Sequence, residues 1–171
     1  MLRFASSLGF ALALLTAPAY ALSTTYSVTM SGANEVPGPG DPDGTASGTI
    51  TLDDVTGQIS WSFSYANLDP VSDMHIHGPG GSAGSAAGVF VGLGVATTGG
   101  PGTLVSSTTT TPANVSAIFG NPTDFYVNIH TNPGFPAGAV RGQLGTVVPE
   151  PETAALFALG MVLLAWVRRR A

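Results

Sequence analysis

The 171-residue sequence has no cysteine and no lysine, and only 9% of it is charged. Without cysteine there are no disulfides, so packing alone must hold any exported domain. Between Leu22 and Val148 the only basic residue is Arg141. It stands against eight acids, Glu35, Asp41, Asp43, Asp53, Asp54, Asp69, Asp73 and Asp124, a formal net charge of −7. That excludes nucleic acid as a partner, because phosphate binding needs a basic patch. It permits binding of cations or basic surfaces. There is no nucleophile elbow, no phosphate loop and no pair of carboxylates at catalytic spacing. The turn Asp41-Pro42-Asp43-Gly44 lacks the ligand spacing of a calcium loop, and its acids suit local backbone bonding.

The two ends differ in character from the middle. At the N-terminus Arg3 precedes an apolar run from Phe4 to Leu15, broken at Pro18. Ala19-Tyr20-Ala21 fits a small-x-small cleavage site, so residues 1–21 read as a signal peptide for signal peptidase. At the C-terminus Pro149-Glu150-Pro151 is followed by an uncharged run, Ala154 to Val167, and then Arg168, Arg169 and Arg170. As a helix the run reaches about 21 Å, short against a hydrocarbon core of ~30 Å. Snorkelling arginines or local thinning cover the difference. A transmembrane helix is expected at about 153–167. The arginines stay cytoplasmic, leaving the domain outside the inner membrane.

Residues 22–147 read as one β-domain of seven or so short strands. Strands are expected at Thr24–Met30, Thr45–Leu52, Gln58–Tyr65, Val71–His77, Val89–Val95, Asp124–His130 and Ala139–Gly145. The clearest is Gln58–Tyr65, where Ile59, Trp61, Phe63 and Tyr65 alternate with Gln58, Ser60, Ser62 and Ser64. Thr111-Pro112 suits a helix start, so one short helix is expected at Pro112–Phe119. The run Thr97–Thr111 is low in complexity and reads as exposed. The fold class is therefore all-β, an antiparallel sandwich or barrel.

The candidate site lies at Met74-His75-Ile76-His77-Gly78-Pro79. On a strand His75 and His77 share a face with Asp73, while Met74 and Ile76 enter the core. The third histidine, His130, ends a strand in which Tyr126, Asn128 and His130 alternate with Phe125, Val127 and Ile129. If the two faces meet, three imidazoles suit zinc or copper. The other reading is that the histidines bond loops and carbonyls to fix the barrel. Arg141 is expected either to pair with Glu35 inside the domain or to lie solvated at a strand end.

Five segments occur in order: SGANEVP at Ser31–Pro37, SGTITL at Ser47–Leu52, MHIHGP at Met74–Pro79, FYVNIHT at Phe125–Thr131 and GAVRGQL at Gly138–Leu144. Together they resemble the CHRD domain, first described in chordin and common in bacterial exported proteins. The resemblance implies an Ig-like β-barrel or sandwich and no particular activity. The MHIHGP strand bears a fainter likeness to the copper-binding strand of copper/zinc superoxide dismutase. That enzyme needs more histidines than this chain has, and a disulfide. The C-terminal segment, 148–171, resembles the PEP-CTERM sorting signal of Gram-negative bacteria, whose partner is exosortase, a membrane transpeptidase acting near Pro-Glu-Pro. The expected protein is exported, passes through a membrane-anchored intermediate, and ends at the cell surface or in extracellular matrix. Its expected role is structural or adhesive and non-enzymatic, through polysaccharide or matrix protein. The alternative is a redox-type zinc or copper enzyme using His75, His77 and His130.

Overall fold

The computed structural model describes residues 23–95 and 102–148, and in the tail residues 159–161, 166, 168 and 169. The expected signal peptide, the Pro149-Glu150-Pro151 motif and most of the tail helix lie outside the described residues. Among the described residues no helix is long and apolar enough to cross a membrane.

The strands are β1 (Ser23–Ser31), β2 (Thr45–Asp53), β3 (Gln58–Ala66), β4 (Val71–His77), β5 (Val89–Gly92), β6 (Thr103–Thr109), β7 (Tyr126–Thr131), β8 (Val140–Gln143) and β9 (Thr146–Val147). They form one sheet in the order β5-β4-β7-β8-β1-β2-β3-β6, with β9 paired to β1. The pairings are antiparallel. The sheet is therefore an open barrel, with β5 and β6 as its edges. Period-two alternation explains it. Val28, Met30, Ile50, Leu52, Ile59, Phe63, Met74, Ile76, Val127 and Ile129 fall on one face and are at most 1% exposed. They meet in a single hydrophobic core. Burying such a side chain contributes roughly 1.5–3 kcal/mol, which replaces what disulfides would otherwise supply.

The helix α1 (Pro112–Gly120) lies where the sequence predicts it. Thr111 caps it by accepting from the Asn114 amide, and Pro112 occupies its first turn. Its Val115 and Ile118 are fully buried in the same core.

Two expectations need correction. Thr103–Thr109, where no strand is expected, is strand β6 and pairs along β3 from Gln58 to Ser64. Only Leu104 of this strand is buried, so the run lacks the apolar alternation by which a strand is recognised. Its partner β3 supplies the core side chains. The strand expected over Val89–Val95 stops at Gly92. The two-residue β9 has no signal in sequence.

Candidate metal centre

The site is built on β4, β7 and β8. In the β4–β7 register Asp73 faces His130, His75 faces Asn128 and His77 faces Tyr126. On the other side of β7, Tyr126 faces Gln143 and Asn128 faces Arg141. Paired residues share a face. One outer face therefore carries the histidines, Tyr126, Asn128, Arg141 and Gln143, while Met74, Ile76, Val127 and Ile129 fill the core behind it.

The expected meeting of the three histidines takes place. One ring nitrogen from each of His75, His77 and His130 lies within 4.8 Å of the others. Ring centroids are 4.8 Å apart for His75–His130, 5.6 Å for His75–His77 and 6.1 Å for His77–His130.

The hydrogen bonds fix which nitrogen is which. His77 Nδ1 is 2.9 Å from the Ala87 carbonyl oxygen. A carbonyl only accepts, so Nδ1 carries the proton and Nε2 holds a lone pair. That Nε2 is buried and has no partner in the protein. His130 Nδ1 donates to the Pro136 carbonyl at 3.0 Å, which leaves its Nε2 as an acceptor. His75 Nδ1 lies 3.0 Å from that Nε2, and a neutral His75 ring has one proton, to give either there or to Asp73. His75 Nε2 lies 3.1 Å from the Asp73 carboxylate. Each ring thus has one nitrogen held by a carbonyl or carboxylate and the other turned toward its fellows. That is the outer-shell pattern of metal-ligating histidines. Burial holds the His77 imidazole below its usual pKa, against the raising effect of the Ala87 bond and together with nearby positive groups. Burial likewise lowers His130, against the Pro136 bond. Both rings are neutral at neutral pH, the form that binds metal.

Around this centre the loops between strands act as a roof. Tyr126 stacks on His77 with centroids 4.8 Å apart and an interplanar angle of 5°. Its hydroxyl lies 3.3 Å from both the amide and the carbonyl of Ala87. Arg141 places its guanidinium 3.5 Å from the Tyr126 ring centroid. Its Nη2 donates to the carbonyls of Gly81 and Ser82 at 2.8 and 3.0 Å. Nε and Nη2 together donate to Gln143 Oε1. The side chain is 1% exposed, so it is not solvated at a strand end, and its partners are other than the expected Glu35.

Glu35 and Arg141 are neighbours without direct contact. Arg141 is engaged as above, and Glu35 Oε1 accepts from Asn128 Nδ2 at 2.6 Å. Burial pushes the Glu35 pKa up to about 7, opposed by the Arg141 charge and the Asn128 bond. Burial also lowers the Arg141 pKa, countered by Tyr126 and Glu35. Gly138 allows this packing. A Cβ there would lie 2.7 Å from both Asn128 Nδ2 and Glu35 Oε2, and its φ of +149° disfavours other residues.

The strand alternation already placed Tyr126 and Asn128 on the face of His130. The Ala87 and Pro136 carbonyls had no signal, because a backbone oxygen in a Gly/Ala/Ser loop looks like any other.

The ordered segments around these residues decide the family. The CHRD domain profile matches residues 26–144. The chain belongs to the CHRD family. The PEP-CTERM protein-sorting motif matches residues 147–170, directly after the CHRD domain. No curated protein and no solved structure matches the chain. The sorting motif marks an exosortase-targeted protein exported to the cell envelope or surface. All three histidines fall within the CHRD domain.

Proposed function

We propose that this exported CHRD protein is a surface-displayed metal-binding module in which His75, His77 and His130 hold one zinc or copper ion. The observation that carries the reading is the division of labour within each ring. One nitrogen is anchored by Ala87, Pro136 or Asp73, and one nitrogen of each ring lies within 4.8 Å of those of the other two. Zinc ligand nitrogens about 2.0–2.1 Å from one ion stand roughly 3.3 Å apart. The His75–His130 contact of 3.0 Å is already near that separation. Binding would need the His75 proton on Nε2, where Asp73 accepts it as the outer-shell partner, so that Nδ1 offers its lone pair to the ion.

The reading is binding rather than catalysis. A catalytic ion needs a positioned acid or base beside its open position. Glu35, with its pKa near 7, is bonded to Asn128 instead. Signal peptidase removal of residues 1–21, anchoring by about 153–167 and exosortase action near Pro149-Glu150-Pro151 would bring the domain to the surface.

The test is titration of the purified protein with zinc and with copper(II), followed by thermal melting. A site that binds only the folded state adds about 2.7 kcal/mol when free metal exceeds Kd a hundredfold. Melting should rise with metal in the wild type and not in His77→Ala. An equal rise in both would remove the histidine site from the account.

A further inference from the structure

The half of the sheet that the histidines do not use carries a second feature. On β1, β2, β3 and β6 the outward positions align in rows across the four strands. The central row reads Ser27, Thr49, Ser62, Val105. The row on one side reads Thr25, Thr51, Ser60, Ser107. The row on the other side reads Thr29, Ser47, Ser64, Thr103. Eleven of these twelve positions carry a hydroxyl and none carries a charge. Neighbours in a row stand about 4.8 Å apart, and successive rows about 6.8 Å apart.

This pattern is not what solubility alone selects. Soluble surfaces are designed with about 25–35% charged residues, and edge strands are commonly guarded by lysine. Here the three rows and the edge strand β6 carry no charge, and the nearest carboxylate on this side of the sheet is Asp53, one row beyond Thr51. Strand propensity accounts for the threonines and not for the serines. The side chains are so short that two shallow grooves form in the face. One, of about 560 Å³, runs over Thr49, Ser60, Ser62 and Ser107 and reaches down to Trp61 and Ser106. The other, of about 360 Å³, runs over Thr29, Thr45, Ser47 and Ser64.

The chemistry of the face narrows its occupant. With no cation it has nothing to attract an anionic polymer. With no carboxylate in its rows it has nothing to attract a basic one. Val105, 40% exposed, is its one large apolar side chain, too little for an apolar partner. Each hydroxyl is a donor and a double acceptor that rotates to suit its partner. The complementary ligand is uncharged, rich in hydroxyls and extended enough to cross several rows. We infer that the β1–β2–β3–β6 face is the docking surface for a neutral polysaccharide. This gives the structural or adhesive role expected from the sequence a specific location, independent of the metal centre. Single hydroxyl contacts contribute little net energy, so affinity accumulates along the chain.

The test uses the full-length protein in affinity electrophoresis through dextran, cellulose derivatives, xylan, mannan and a β-1,3-glucan, with alginate as the acidic control and EDTA present throughout. Retardation by at least one neutral polymer and none by alginate is expected. Ser62→Glu and Ser62→Lys should each weaken it at least tenfold. The triple change of Thr49, Ser62 and Ser64 to Ala should do the same without adding charge, with an unchanged melting temperature in each case. No retardation by any neutral polymer, or equal retardation of the variants, would overturn the inference. So would a wild-type dimer in sedimentation that Ser62→Glu dissociates, which would give the face to a second copy of the chain.

Discussion

The two halves of this sheet share one core and differ in what lies above them. Over β4, β7 and β8 the loops after β4 and β7 fold back onto the outer face. Beneath them sit imidazoles, a tyrosine, an amide and a guanidinium, with the His77, His130, Glu35 and Arg141 pKa values displaced by burial. Over β1, β2, β3 and β6 the described loops wall only the Ser27–Thr29 end, at Ala33, Asn34, Ala83 and Gly84, and the outward rows are uncharged hydroxyls with one valine. The difference is one of solvent. Long polar groups that lose water need fixed partners, and each histidine has found one. Short hydroxyls at the surface bond to water or, as Thr25 and Thr51 do, to each other, and can exchange such bonds for those of a ligand.

The largest effect expected from breaking this contrast is on the covered side. Replacing His75 and His77 together with alanine should abolish stoichiometric metal binding, seen as loss of about one metal per chain by mass spectrometry. The same metal content in the double variant would mean that the ion sits elsewhere.

Next comes the roof. Arg141→Ala frees the carbonyls of Gly81 and Ser82 and uncovers Tyr126. Loss of a buried charged group with such partners costs about 3 kcal/mol, a fall of roughly 10–15 °C in Tm for a domain of this size. Metal affinity should fall as well, because the same loop presents Ala87 to His77. Calorimetric melting that leaves Tm within a degree would show the guanidinium to be idle.

A smaller, pH-dependent effect belongs to Glu35. Its folded pKa of about 7 lies above the ordinary glutamate value of 4.5. Its contribution to stability is therefore full below about pH 4.5 and is lost as pH rises through about 7. His77 and His130 act with the opposite sign. Their folded pKa values lie below 6.5, so stability is kept above 6.5 and falls as pH drops below it. Glu35→Gln should match the wild type at pH 5 and melt a few degrees higher at pH 8. Parallel melting curves across that range would contradict the Glu35 assignment.

The smallest effect is on the open face. Ser62→Ala should change stability by no more than about 0.5 kcal/mol, as exposed substitutions without partners do. A larger loss in denaturant unfolding would show that the hydroxyls hold the sheet rather than await a ligand.

Much of this was legible in sequence where side chains alternate. The pattern Ile59-Trp61-Phe63 announced β3, and His75-x-His77 announced two imidazoles on one face. The meeting of those two with His130 followed from strand pairing that sequence alone does not fix. β6 was illegible because its serines and threonines advertise a loop while its core is supplied by β3. The Glu35–Arg141 pairing was an inference from opposite charge. Asn128 accepts that role on the carboxylate, and loop carbonyls take it on the guanidinium, because amides and carbonyls are available everywhere along a chain. The hydroxyl rows were written in the sequence but acquire meaning only once the register aligns them.

The central claim is that three imidazoles converge on one ion. It is tested most directly by loading the protein with one equivalent of copper(II) and counting coordinated imidazoles by pulsed electron paramagnetic resonance. The account predicts three in the wild type, one of them lost in His130→Ala. A count unchanged by that substitution, or copper bound without imidazole, would contradict it.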